Sequence, residues 1–265
     1  MSKKNLQSLF IVLIALVSHN SVLAQSFSYT QSMQNTRGLH TATVLPNGLV
    51  LITGGHNGAW GGNPPSKGNT GGYVSTCELY NPATNSFSYT GSLNTLRYQH
   101  TATLLPNGKV LITGGSIGYN TYTNTCEIYD PSTGNWSVTD SMSESRFMHS
   151  ATLLPNGTVL VIGGLNNVGN IVSTCEIYNP STNSWSSTGS ISNPTWQHSA
   201  TLLPNGKVLL AGGLHSSGQT NTCQLYNPST GTWSNTASLQ NARTEHHAIL
   251  LNTGKVLVAA GNNNK

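Results

Sequence analysis

One pentapeptide occurs four times at nearly constant intervals, and no other feature limits the fold as tightly. It reads Thr76-Cys77-Glu78-Leu79-Tyr80, Thr125-Cys126-Glu127-Ile128-Tyr129, Thr174-Cys175-Glu176-Ile177-Tyr178 and Thr222-Cys223-Gln224-Leu225-Tyr226, at spacings of 49, 49 and 48 residues. An aromatic residue follows each Cys by ten positions: Phe87, Trp136, Trp185 and Trp233. His40, His100, His149, His198 and His246 keep the same period. A glycine pair follows each of the first four by fourteen residues, and Ala260-Gly261 follows the fifth. Such self-similarity marks a repeat architecture, in which no unit can bury its apolar surface alone.

The second copy shows the local structure. His100–Leu105 reads as a strand, Pro106-Asn107-Gly108 as a tight turn, and Lys109–Thr113 as a second strand that is apolar on both faces. Asn-Gly suits a hairpin because both residues tolerate positive φ. Thr125–Tyr129 and Trp136–Thr139 read as third and fourth strands around a turn at Asp130–Gly134. Charged residues are only 7% of the chain, and Gly (28 residues), Asn, Ser and Thr take their place. That composition disfavours helices and suits short strands with tight turns. Four antiparallel strands in about 50 residues describe a propeller blade.

The chain resembles the kelch family. The likeness rests on the glycine pair, on Tyr129 fourteen residues after Gly115, on Trp136 seven further on, and on Arg146-x-x-His149 leading into the next unit. It covers residues 26–261 and implies an all-β, kelch-type β-propeller of four-stranded antiparallel blades. Four complete blades are expected, then the first two strands of a fifth. Ser26–Thr30 matches Ser86–Thr90 and is expected to serve as a fourth strand beside that last hairpin. About five blades result, the last lacking its third strand. Three readings fit: a truncated ring, a five-bladed ring with a defective closing blade, or a blade completed by a partner's strand.

The first 24 residues differ from the rest. Lys3 and Lys4 precede the apolar run Leu9–Val17, and Val22-Leu23-Ala24 supplies small residues for cleavage after Ala24. This is the pattern of a secretory signal, so residues 25–265 are expected as a secreted, periplasmic or cell-surface propeller. Nine apolar residues fall short of the roughly 20 that span a bilayer, and no later segment is a membrane span. Without Lys3 and Lys4 the chain carries 9 Lys+Arg against 7 Asp+Glu. That balance, with no basic cluster, excludes a nucleic-acid footprint.

Repeat-wide residues read first as structure. Five histidines at one repeat position could ring the axis and bind metal. The favoured reading is that His40, His100, His149, His198 and His246, with Arg37, Arg97, Arg146 and Arg243, tie blades together; Thr195 takes the Arg position before His198. No metal site and no cofactor is expected. The four cysteines share one position on successive third strands, on the order of 15 Å apart by strand spacing. Disulfides need Cα atoms within about 7 Å, so four buried free thiols are expected.

Specific function is expected where the repeat breaks. The first blade carries an 11-residue insertion between its second and third strands, within His56–Tyr73, that includes Trp60. With Tyr73, Tyr98, Tyr119, Tyr122, Phe147, Trp196, His215 and Glu245 it forms an aromatic-rich rim on one loop face. Aromatic residues there can stack on a glycan or anchor a protein partner. An oligomer is a further possibility if a missing strand is donated.

Catalysis is the alternative. The resemblance extends to sugar oxidases and a sugar epimerase, but a Tyr–Cys copper centre has no Cys outside the repeat to use. An epimerase needs a non-repeating acid or base. Of seven carboxylates, Glu78, Glu127 and Glu176 belong to the repeat and Asp130 to a turn, leaving Asp140, Glu144 and Glu245. Glu245 beside His246 and His247 is the one candidate cluster. No P-loop, dinucleotide fingerprint or zinc motif is present.

Overall fold

A computed structural model of the protein describes residues 29–57 and 72–262. Within them the chain forms 22 strands. Blade one is β1 (Thr41–Val44), β2 (Val50–Thr53), β3 (Cys77–Asn81) and β4 (Ser86–Thr90). Blade two is β5 (Thr101–Leu104), β6 (Val110–Thr113), β9 (Cys126–Asp130) and β10 (Asn135–Thr139), with a small hairpin β7 (Ser116–Gly118) and β8 (Thr121–Tyr122) between. Blade three is β11 (Ser150–Leu153), β12 (Val159–Ile162), β13 (Cys175–Asn179) and β14 (Ser184–Thr188). Blade four is β15 (Ser199–Leu202), β16 (Val208–Ala211), β19 (Cys223–Asn227) and β20 (Thr232–Thr236), interrupted by β17 (Leu214–His215) and β18 (Gly218–Gln219). A fifth, two-stranded unit follows: β21 (His247–Leu250) and β22 (Val256–Ala259). All ladders are antiparallel, and each four-stranded sheet keeps chain order from inner to outer strand.

The expected strands are present, with ends shifted by a residue. His100 lies outside β5 because Gln99 adopts φ 49°, which turns the chain so that pairing starts at Thr101. The Asn-Gly hairpins form as expected. Gly108 has φ 81°, and the Asn107 Oδ1 accepts a 3.1 Å hydrogen bond from the Lys109 amide.

The core lies between blades. First strands β1, β5, β11, β15 and β21 adjoin in succession, so the sheets fan around a common axis. Each blade turns a forward face to its successor and a rear face to its predecessor. Forward residues Leu111 and Cys126 meet rear residues Val159, Val161 and Tyr178, all fully buried. Burying each such aliphatic side chain contributes about 1.5–3 kcal/mol. Polar bonds fix the same seams. The Tyr129 hydroxyl lies 2.7 Å from Thr90 Oγ1, and the Trp136 indole N–H donates to Gly91 O at 2.8 Å. Tyr226–Thr188 and Trp233–Gly189 repeat the arrangement.

The glycine pair is required by this stacking. Gly114 has φ 59°, and a Cβ there would sit 2.5 Å from the Arg146 carbonyl oxygen of the next blade. Gly115 donates its N–H to that same oxygen at 2.8 Å. In the fifth unit Ala260 occupies the equivalent position at φ 59°, and no blade follows it among the described residues. Replacing Gly114 by Ala is expected to cost about 3 kcal/mol, because the backbone strain and the clash add. Gly108→Ala is expected to cost about 1 kcal/mol, since only Pro46 Cγ comes near, at 3.4 Å. Urea unfolding of the two variants measures the difference, and equal losses would contradict the close approach.

One expectation about the fifth unit does not hold. Tyr29 and Thr30 form no strand, and Tyr29 is 96% exposed; Ser26–Ser28 lie outside the described residues. A fourth strand bonds to a third, and β22 has no third strand beside it among the described residues. The forward face of this unit is correspondingly bare: Leu257 is 50% exposed where Leu111 is fully buried. The expected signal segment, residues 1–24, also lies outside the described residues. Among the described residues no helix is long and apolar enough to cross a membrane.

Cys77, Cys126, Cys175 and Cys223 are buried and free. Burial pushes the thiols up, to about 11 for Cys77 and Cys175 and about 12 for Cys126. The thiolate is the reactive form, so native protein is expected to react with a thiol reagent far more slowly than unfolded protein. Titration after unfolding without reductant should then find all four thiols.

Candidate functional site

The segment Arg-x-x-His builds both the frame and the candidate site. Its Arg is a clamp. Arg97 Nη1 donates to Gly114 O at 2.8 Å and Thr125 O at 2.9 Å, while Nη2 donates to Thr125 Oγ1 at 3.0 Å and Glu127 Oε1 at 2.9 Å. Both side chains are essentially inaccessible. Arg37–Glu78 and Arg146–Glu176 are equivalent buried pairs at 2.7 and 2.9 Å. The clamp therefore fixes each inter-blade loop on the third strand of its own blade. Blade four carries neither charge: Thr195 replaces Arg, Gln224 replaces Glu, and both are buried. Gln224 keeps the loop contact, donating to Ser192 Oγ at 2.5 Å and accepting from the Ser192 amide at 3.3 Å. The two substitutions match each other, because either alone would strand a buried charge.

The histidines reach backward across the seams. Nε2 lies 2.9 Å from Thr41 Oγ1 in His100, 2.9 Å from Thr113 Oγ1 in His149, 2.9 Å from Ser150 Oγ in His198 and 2.8 Å from Ser199 Oγ in His246. Each pair joins neighbouring blades. Burial first, then nearby positive Arg, holds His100 well below its usual pKa and His149 down to about 3. Burial alone dominates at His198, which falls to about 4. These imidazoles are neutral at pH 7. Among the described residues no group of three or more His, Cys, Asp or Glu side chains is arranged to hold a metal ion.

The two middle residues of the segment face outward. The first is Gly38, Tyr98, Phe147, Trp196 or Thr244, each bridged to the residue after its glycine pair. The second is Leu39, Gln99, Met148, Gln197 or Glu245, all with φ between 49° and 56°. That left-handed turn aims the second residue at the axis, and Gln99, Met148, Gln197 and Glu245 line a cavity of about 290 Å³ there. Gln197 Nε2 donates to Glu245 Oε1 at 2.6 Å. Glu245 is thereby turned to Gln197 rather than to His246, whose Nε2 is engaged by Ser199. The expected Glu245–His246–His247 cluster does not form an acid–base pair.

The first position creates a continuous aromatic stripe over blades one to three. His56 and Tyr73 rings lie 5.3 Å apart edge-on, Tyr73 and Tyr98 5.2 Å, and Tyr98 and Phe147 5.8 Å. Tyr122 stacks on Phe147 at 4.5 Å with planes 2° apart. Tyr98 is the hub, touching His56, Tyr73 and Phe147. Burial, reinforced by Tyr98, pushes the Tyr73 hydroxyl up to about 12, so it stays a neutral phenol.

Of the residues singled out in the sequence, Tyr73, Tyr98, Tyr122 and Phe147 come together. Phe147 corrects the expectation of an open rim: it is 7% exposed because Tyr98 and Tyr122 cover it. Tyr119 is exposed at the tip between β7 and β8. Trp196 and His215 belong to blade four and make no ring contact with the stripe among the described residues. Trp60 and most of the insertion, residues 58–71, lie outside the described residues. Sequence reading missed Gln99, Met148 and Gln197. Their signal was present as the variable residue directly before each repeat His.

The comparisons fit this geometry. The family model described as the Attractin/LZTR1 beta-propeller matches residues 69–265. The solved structure of YjhT superposes with a TM-score of 0.68 at 16% identity, over 86% of this chain and 78% of that one. At that identity the likeness concerns the fold. No curated protein matches. With the matched span covering most of the sequence and the blades as described, the chain belongs to the Attractin/LZTR1-type family of kelch β-propellers.

Proposed function

We propose that this chain is an exported, non-catalytic propeller that binds a carbohydrate on the loop face. The observation that carries this reading is the aromatic stripe of Tyr73, Tyr98, Phe147 and Tyr122 beside an axial cavity lined by amide groups. Aromatic faces pack against the apolar faces of sugar rings while polar tips and amides satisfy hydroxyls. Export is supported by Lys3, Lys4 and the apolar run Leu9–Val17 ahead of Ala24. The non-catalytic reading is supported by the engagement of Glu245 with Gln197 and of His246 with Ser199.

A glycan array probed with the protein lacking residues 1–24 tests the reading. Selective binding is expected, and Tyr122→Ala is expected to weaken it at least about tenfold, the effect of losing one stacked aromatic. Tyr122 is only partly buried, so its melting temperature should hardly move. A flat array, or retention of full binding by the variant, would sink the proposal.

A further inference from the structure

The fifth unit keeps three receptors for a strand it does not itself contain. The first is the outer edge of β22. In blades one to four the second strand bonds a third, but β22 is hydrogen-bonded only to β21. The second is Arg243. It donates to Ala260 O at 3.0 Å, the bond its equivalents make to glycine, yet a third-strand carbonyl, threonine hydroxyl and carboxylate have no counterpart around it. The third is Thr236. It pairs with Cys223 as Thr90 pairs with Cys77 and Thr188 with Cys175, and those two threonines hold the tyrosine hydroxyl of the next blade's third strand. A cavity of about 240 Å³, lined in part by Cys223 and Thr236, opens there.

One strand satisfies all three. The register follows from the other blades, where Ile52, Ile112 and Val161 stand opposite Glu78, Glu127 and Glu176. Val258 would stand opposite the glutamate, and Val256 opposite a tyrosine aimed at Thr236. A branched aliphatic residue between them would lie beside Leu257 and cover its exposed side. The sequence offers no free strand of this kind. Its Thr-x-Glu strands are already paired in blades one to three, and residues 1–28, 58–71 and 263–265 contain no Asp or Glu.

We propose that the β22 edge accepts, by antiparallel strand addition, an extended segment of a partner protein with the pattern Thr-x-Glu-aliphatic-Tyr. Main-chain bonds along an exposed edge supply affinity, and pockets for alternate side chains supply specificity. This surface is separate from the loop face, and the proposal does not depend on a carbohydrate ligand.

The test uses a fluorescent octapeptide with the sequence of residues 173–180, its cysteine changed as in Cys175→Ala, titrated into the intact protein by anisotropy. Saturable binding is expected. A peptide carrying Glu176→Gln, and the protein variant Arg243→Ala, should each bind at least about tenfold more weakly, as loss of a charged hydrogen bond implies. Leu257→Lys, at an exposed position, should weaken binding with the fold intact. Hydrogen exchange should show new protection at residues 256–259 when peptide is bound. No saturable binding up to millimolar peptide, or equal binding by the two peptides, would overturn the proposal. The peptide comparison stands even if Arg243→Ala fails to fold.

Discussion

Arg146→Thr is expected to cost the protein about 3–5 kcal/mol, the usual loss when one partner of a buried ion pair is removed. Arg146 makes four hydrogen bonds, and its removal leaves Glu176 charged and inaccessible. Glu176→Gln is expected to be similarly damaging, because the guanidinium then lies buried without a counter-charge. The double variant should be far less damaged than the two losses added. It recreates in blade three the pair that blade four already carries in Thr195 and Gln224. A coupling energy of at least about 2 kcal/mol is expected from a double-mutant cycle in urea. Strict additivity would mean that the matched substitution in blade four is a coincidence.

Mild acid should unfold the protein before its carboxylates titrate. His100, His149 and His198 have folded pKa values depressed by burial, to about 3 and about 4 for the last two, against 6.5 for the unfolded chain. Below pH 6.5 the unfolded state therefore binds protons that the folded state refuses. Stability is fully present above pH 6.5 and is lost as the pH falls toward 4, by up to about 1.4 kcal/mol per unit for each histidine. A fall in melting temperature of about 10 °C or more is expected between pH 7 and 5. His149→Gln should flatten that slope while lowering stability at pH 7. A melting temperature independent of pH across this range would show that the histidines are not held neutral by the blade seams.

The frame was legible because it is written several times over. One Thr-Cys-Glu-Ile-Tyr could be a strand of anything, whereas four at a constant period with glycine pairs and tryptophans in phase fit only stacked four-stranded sheets. The candidate site was half legible. Tyr98 and Phe147 stand out as aromatics beside Arg-x-x-His, and the structure joins them through Tyr73 and Tyr122. Phe147 was expected at an open rim because sequence separation hides the contact with Tyr122, 25 residues earlier, that covers it. The axial set Gln99, Met148, Gln197 and Glu245 escaped notice because these residues share a backbone turn and not a side-chain chemistry. The fifth unit misled for a related reason. Ser26–Thr30 matches a fourth strand letter by letter, but a strand forms only where a neighbour offers its edge, and that condition is not in the letters.

Hydrogen–deuterium exchange by strand is the most direct test of the central claim, that packing between blades holds each blade together. Val110–Thr113, Val159–Ile162 and Val256–Ala259 have nearly the same sequence and the same place in their units. The first two lie between successive blades, and the third has a blade on one side only. The amides of Val110–Thr113 and Val159–Ile162 are expected to exchange through global unfolding, and those of Val256–Ala259 much faster by local opening. Equal protection of all three strands would mean that each hairpin is stable on its own, which contradicts the claim.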